Sequence, residues 1–153
     1  MAILGIVLGG IVTLMVSGTR AEVDMNRRFQ AQQEARLAAD RMRAEIHCAS
    51  ALTLTNPAAI TIALPASCPT ASGTAQNVTY DTAQVSTGRY QLRRAGSAIA
   101  DYVTTGDVFA YAAPSAASLG KLQVDLPVDL TPGDSQGLWR LEVDIVLRNT
   151  VRA

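Results

Sequence analysis

Cys48, Cys68 and His47 are the only thiols and the only imidazole in the chain, so any soft-metal or nucleophilic chemistry must be built from them. The cysteines lie 20 positions apart with no CxxC pairing, and one histidine cannot complete the four ligands of a usual zinc site. No serine or cysteine partner motif supports a catalytic role for His47, and there is no G-x-S-x-G, P-loop or HExxH pattern. Its expected role is electrostatic, because an imidazolium near a helix C-terminus faces the negative end of the helix dipole. The chain therefore reads as no enzyme, with no catalytic residue, metal, cofactor or small-molecule substrate.

A disulfide between Cys48 and Cys68 would close a loop of about 20 residues and contribute roughly 3 kcal/mol by the chain-entropy account. The alternative is two separately buried thiols. Asn77-Val78-Thr79 fits the glycosylation acceptor pattern, yet the same letters read as the polar alternation of a strand. Arg27, Arg28, Arg41 and Arg43 would form a basic patch, but Asp24, Glu34, Asp40 and Glu45 are interspersed among them. That mixture reads as a solvated or subunit-facing helix laced with ion pairs.

The 13 basic and 13 acidic residues cancel, so no overall positive field exists to gather phosphate backbones, and a dedicated nucleic-acid binder is disfavoured. A length of 153 residues allows one core-forming domain plus an extension. Apolar residues are 48 % of the chain but unevenly placed, and the first 19 positions carry no charge at all.

Those positions, 1–19, predict a helix spanning roughly 28 Å, close to the thickness of a bilayer core. A cleavable secretory signal would begin with positive charge and end in a small-residue cleavage site, and neither feature is convincing here. Gly5, Gly9 and Gly10 are poor choices for a water-soluble helix interior, each costing about 1 kcal/mol relative to Ala. In a membrane they permit close helix contact, and Gly5-xxx-Gly9 has GxxxG spacing.

From Arg20 the letters change without a break in helix-forming tendency, and the helix is expected to continue to about Ser50. Arg20 and Asp24, Asp24 and Arg28, Arg36 and Asp40, and Arg41 and Glu45 are four apart, each pair worth about 0.2–0.5 kcal/mol. Ala35, Ala38, Met42, Ile46 and Ala49 form a stripe at three- and four-residue steps, so one side of segment 20–50 should be buried.

Residues 51–153 switch to short period-two segments separated by turn letters. Strands are expected at 52–54, 60–64, 77–81, 88–94, 100–105 and 108–112, with Asn56-Pro57 as a turn. In 121–130, Leu122, Val124, Leu126, Val128 and Leu130 face one way while Lys121, Gln123, Asp125 and Asp129 face the other. Pro127 then falls on the solvent side, which predicts a strand at or near a sheet edge. After a loop at 131–137, Trp139, Leu141, Val143, Ile145 and Leu147 alternate with charges, and these last two strands should pair antiparallel. The stretches near 66–76 and 112–120 read as surface loops. The fold class is α+β: one long N-terminal helix, apolar then amphipathic, packed on a C-terminal antiparallel sheet.

This plan resembles the type IV pilin family, including the pseudopilins of type II secretion and competence systems. The resemblance is carried by MAILGIVLGGIVTLMVSGTRAEVDMNRRFQAQQEARLAADRMRAEI at 1–46. It implies a structural subunit, held in the bacterial inner membrane by a single pass with its C-terminal domain outside the cytoplasm, and assembled at the cell surface or in the periplasm. The implied partners are other pilin or pseudopilin subunits, with nucleic acid only in a competence system. Packing would fall to Ile3, Leu4, Gly5, Ile6, Val7, Leu8, Gly9, Gly10, Ile11, Val12, Leu14 and Val16. The family's N-terminal Phe, its preceding peptidase glycine and its early glutamate have no counterpart here, and the expectation is that Met1 is an internal methionine of a longer prepilin. The rival reading is a single-pass protein that displays its β domain as a binding module and never polymerises.

Overall fold

A computed structural model gives the fold; it describes residues 2–115, 118–130 and 138–148, the side chains of 2–9 excepted. One helix, α1, runs Ala2–Cys48, through a sequence with no proline and no glycine beyond Gly18. At its end the Ser50 amide donates to the Ala63 carbonyl at 2.9 Å, passing the chain from helix to sheet. The chain divides into two compact units, 1–30 and 31–153.

In the larger unit eight strands form one curled antiparallel sheet: β1 (Ala51–Asn56), β2 (Ala59–Leu64), β3 (Gln76–Ser86), β4 (Arg89–Arg94), β5 (Ser97–Val103), β6 (Phe109–Ala112), β7 (Lys121–Val128) and β8 (Trp139–Val146). Strands β1 to β5 are a meander of successive neighbours, after which the order runs β5-β7-β6, with β8 on β7's other edge. The turns are built from the expected chemistry. Asn56 Oδ1 accepts the Ala58 amide at 2.8 Å across the β1–β2 turn. Between β4 and β5, Ala95 and Gly96 both take positive φ, 48° and 82°, the geometry of a tight two-residue hairpin. The curl brings the first turn back to the sixth strand, where the Val108 and Phe109 amides both donate to the Pro57 carbonyl, at 3.0 and 2.9 Å.

The core lies between the second part of α1 and the inner face of the sheet. Ala31, Ala35, Ala38, Ala39, Met42 and Ile46 on the helix, with Ala49, are buried in one cluster with Ile60, Ile62, Tyr80, Leu92, Leu122, Leu126 and Ile145. Each buried alanine withdraws about one methyl group from water, worth roughly 0.8 kcal/mol, whereas Met42 and Ile46 each contribute about 1.5–3 kcal/mol.

The strand at 121–128 departs from the sequence expectation. β7 is central, with β6 and β5 along one edge and β8 along the other, and Pro127 is buried. It is tolerated because β6 pairs with β7 only as far as Phe109↔Val124, and β5 only at Val103↔Val128. Along that edge the Asp125 amide reaches the Val108 carbonyl and the Asp129 amide reaches the Tyr102 carbonyl, both at 2.9 Å. Pro127 accepts from the Thr104 amide at 2.9 Å, and its missing N–H lies on the edge where β5 has ended and β6 has not begun. Asp129, expected on the solvent face, is also buried. The expected loop at 131–137 lies outside the described residues. Segment 66–76 is more than surface loop, because a short 3-10 turn at Pro69–Ala71 carries the buried Cys68 and Ala71.

Candidate functional site

Within residues 10–30 the helix presents its apolar side chains to the outside. Ile11, Val12, Leu14, Met15 and Val16 are exposed, Leu14 and Met15 by more than 70 % (73 % and 71 %), as are Val23, Met25 and Phe29. At 100° per residue, Ile11, Leu14, Met15, Gly18, Met25 and Phe29 fall within one stripe, interrupted by Glu22. A Cβ built on Gly10 or Gly18 meets nothing within 4 Å, so each leaves a place where another backbone can come close. Sequence reasoning stopped at Val16 and passed over Met15, Met25 and Phe29, although the three- and four-residue spacing continues beyond Arg20.

Two hydroxyls of this segment are turned into their own helix. Ser17 Oγ donates to the Leu14 carbonyl and Thr19 Oγ1 to the Met15 carbonyl, both at 2.9 Å. Back-bonding of this kind turns these two hydroxyl donors away from the apolar surface. Of the sequence-predicted packing residues, Gly10, Ile11, Val12, Leu14 and Val16 lie on this exposed segment, while the side chains of Ile3, Leu4, Ile6, Val7 and Leu8, and the surroundings of Gly5 and Gly9, lie outside the described residues.

A second constellation joins α1 to the sheet. Glu45, fully buried, accepts the Tyr80 hydroxyl at 2.8 Å and the Arg94 guanidinium through Nε at 3.0 and 3.1 Å and Nη2 at 2.9 Å. Arg41 Nε adds a contact at 3.5 Å from one helical turn away. Burial first, and then its bond to the Glu45 carboxylate, push the Tyr80 hydroxyl well above its usual pKa, with Arg94 pulling the other way. A buried carboxylate held by two arginines and a tyrosine is a satisfied structural charge. The expected Arg36–Asp40 pair gives way to others: Asp40 pairs with Arg43 at 3.3 Å, and Arg36 lies 5.5 Å over the Trp139 ring.

Next to this constellation Cys48 and Cys68 are joined in a disulfide, with Cα atoms 5.7 Å apart, tying the helix end to the β2–β3 connection. His47 sits in the last turn of α1, half-buried.

The sheet carries ion pairs on and between its strands. Arg93 on β4 pairs with Asp81 on β3, and Arg89 with Asp101 on β5 at 2.5 Å. Burial works against ionisation of Asp101, but Arg89, the Tyr102 amide and Gln91 outweigh it and hold the carboxyl below the usual range. Arg89 also stacks on Tyr102, 4.0 Å from the ring centre. A surface hollow of about 290 Å³ is lined by Ala110, Tyr111, Ala112, Lys121 and Gln123, and Lys121 is engaged by Asp144 at 2.6 Å. Among the described residues no three His, Cys, Asp or Glu side chains are grouped to hold a metal ion.

Among the described residues, no helix is long and apolar enough to cross a membrane. No family model, no curated protein and no solved structure matches the chain. The functional reading therefore rests on the chain's own residues.

Proposed function

We infer that the chain is a structural subunit of a pilin-like filament, a minor pilin or pseudopilin of a type IV pilus, type II secretion pseudopilus or competence pilus, and that it assembles through its N-terminal helix. The observation that carries the reading is the run of exposed apolar side chains from Ile11 to Phe29 on a helix with back-bonded hydroxyls. Left in water such a surface is unfavourable by about 25 cal/mol per Å², and packing against the same segment of other subunits removes the cost.

In this reading the apolar first part of the helix holds the subunit in the inner membrane before assembly and then exchanges lipid for neighbouring helices, so these side chains never meet water. The amphipathic second part stays on its own sheet. Gly10 and Gly18 set the closest approach between neighbouring helices, and the β domain faces outward.

Single cysteines placed along residues 10–29 in the native membrane, followed by oxidative crosslinking, test this. A ladder of multimers with a helical periodicity in crosslinking yield is the expected result. Monomers at every position would favour instead a membrane-anchored binding module that does not polymerise.

A further inference from the structure

The attachment of α1 to the sheet is unequal along its length, and the inequality has a direction. From Ala31 to Ala39 the buried face offers only methyl groups, at Ala31, Ala35, Ala38 and Ala39. From Met42 onward every kind of attachment appears together: the whole side chains of Met42 and Ile46, the Glu45 bonds to Arg94 and Tyr80, the Cys48–Cys68 disulfide, and the Ser50 amide on Ala63. In the alanine stretch the exposed Arg36 lies over the Trp139 ring, 5.5 Å from its centre.

We propose that the helix is anchored at its C-terminal end, so that residues 31–39 lift from the sheet as a local opening while residues 42–50 stay in place. Small side chains make this separation easy in two respects. They forfeit little buried area when they part, and they interlock weakly with the facing strands, so no large knob must be withdrawn from a hole. The anchor resists for the opposite reasons, because parting would strand Glu45 and Arg94 without partners and the disulfide cannot part at all. Local openings of this kind occur below the free energy of global unfolding and are drawn from regions of sparse apolar contact. The device gives the chain a helix whose direction over residues 31–39 can adjust to whatever surrounds it, without loss of the β domain.

Native-state thiol labelling of the full chain tests this with Ala35→Cys and, separately, Met42→Cys, both at fully buried positions. In mild urea the thiol at 35 should react at least about tenfold faster than the thiol at 42. Equal rates, with both thiols following global unfolding, overturn the proposal. Adding Glu45→Gln to Met42→Cys should bring its labelling rate toward that of the thiol at 35, and an unchanged rate would remove Glu45 from the anchor. Should a cysteine variant fail to fold, the unmodified chain decides, because Trp139 is the only tryptophan. Its emission must change at lower urea than the infrared sheet band, and coincident transitions overturn the proposal.

Discussion

Tyr80 donates its hydroxyl to Glu45 Oε2 at 2.8 Å, joining β3 to α1 across 35 residues of sequence, with both side chains fully buried. Arg94 reaches the same carboxylate from β4, so helix and sheet share one charge. Removing a member leaves the others buried and unpaired, which costs more than the bond itself contributes.

Glu45→Ala is therefore expected to destabilise the β domain by about 3–5 kcal/mol, and Tyr80→Phe by about 1.5–3 kcal/mol, as measured by urea denaturation. A double-mutant cycle of Glu45→Gln with Arg94→Met should show strong coupling. Additive effects would mean that the two groups do not act as a unit.

The pH dependence follows from two shifted groups of opposite sign. Tyr80's folded pKa is raised, so its contribution is complete below an unfolded value of about 10 and declines as pH rises through the higher folded value. Asp101's folded pKa is lowered, so its contribution is complete above an unfolded value of about 3.9 and is lost as pH falls through the lower folded value. Denaturation midpoints should fall toward both extremes. Tyr80→Phe should remove part of the alkaline loss, the rest including Tyr111, which burial also raises. Asp101→Asn should flatten the acid side.

Reducing the Cys48–Cys68 bond should lower stability by about 3 kcal/mol in the chain-entropy account, through the unfolded state more than through lost contacts. The folded sheet should survive, because Glu45 still holds the helix end. Circular dichroism of reduced, alkylated protein checks this; a spectrum without sheet signal would make the bond obligatory.

Gly10→Leu and Gly18→Leu separate folding from assembly. Each has open space at its Cβ and each removes a residue costing about 1 kcal/mol in a helix, so the isolated subunit should be as stable or slightly more so. Filament formation should decline, as counted by electron microscopy. Normal filaments from both variants would remove these glycines from the packing surface.

Pro127→Ala is expected to destabilise the domain by about 1–3 kcal/mol, against the usual rule that removing proline from a strand helps. The restored N–H would fall between the β6 ladder, which stops at Val124, and the single β5 pair at Val128, with no ladder partner of its own. Amide exchange at position 127 should be fast for a buried central strand.

The long helix, the strand segments and the β7–β8 pair were legible because each rests on local periodicity: eight residues of alternation fix β8 without reference to anything else. Pro127 was misread because its tolerance depends on two other strands ending on either side of it, a relation that no window around residue 127 contains. Glu45 was legible only as an Arg41 partner. Its spacing from Ala38, Met42 and Ala49 places it on the buried stripe, and a charge on a buried stripe demands partners, yet Tyr80 and Arg94 lie 35 and 49 residues away. The packing role of Val12, Leu14 and Val16 is an expectation from the resemblance to pilins; their exposure and the continuation to Phe29 are set by the three-dimensional fold and lie beyond any local window.

The meeting of β5 and β7 at a single ladder pair, Val103↔Val128, also bears on how the chain reaches this fold. The meander β1 to β5 closes through short hairpins apart from the 65–75 connection, so its contacts are mostly local, and β7 with β8 forms a second nearly local block. Joining the blocks is the long-range step with few hydrogen bonds to reward it, so the order of events should be two early hairpin assemblies and one late seam. A nascent chain emerging with the first block complete would wait, its β5 edge uncovered, until residue 128 had been made.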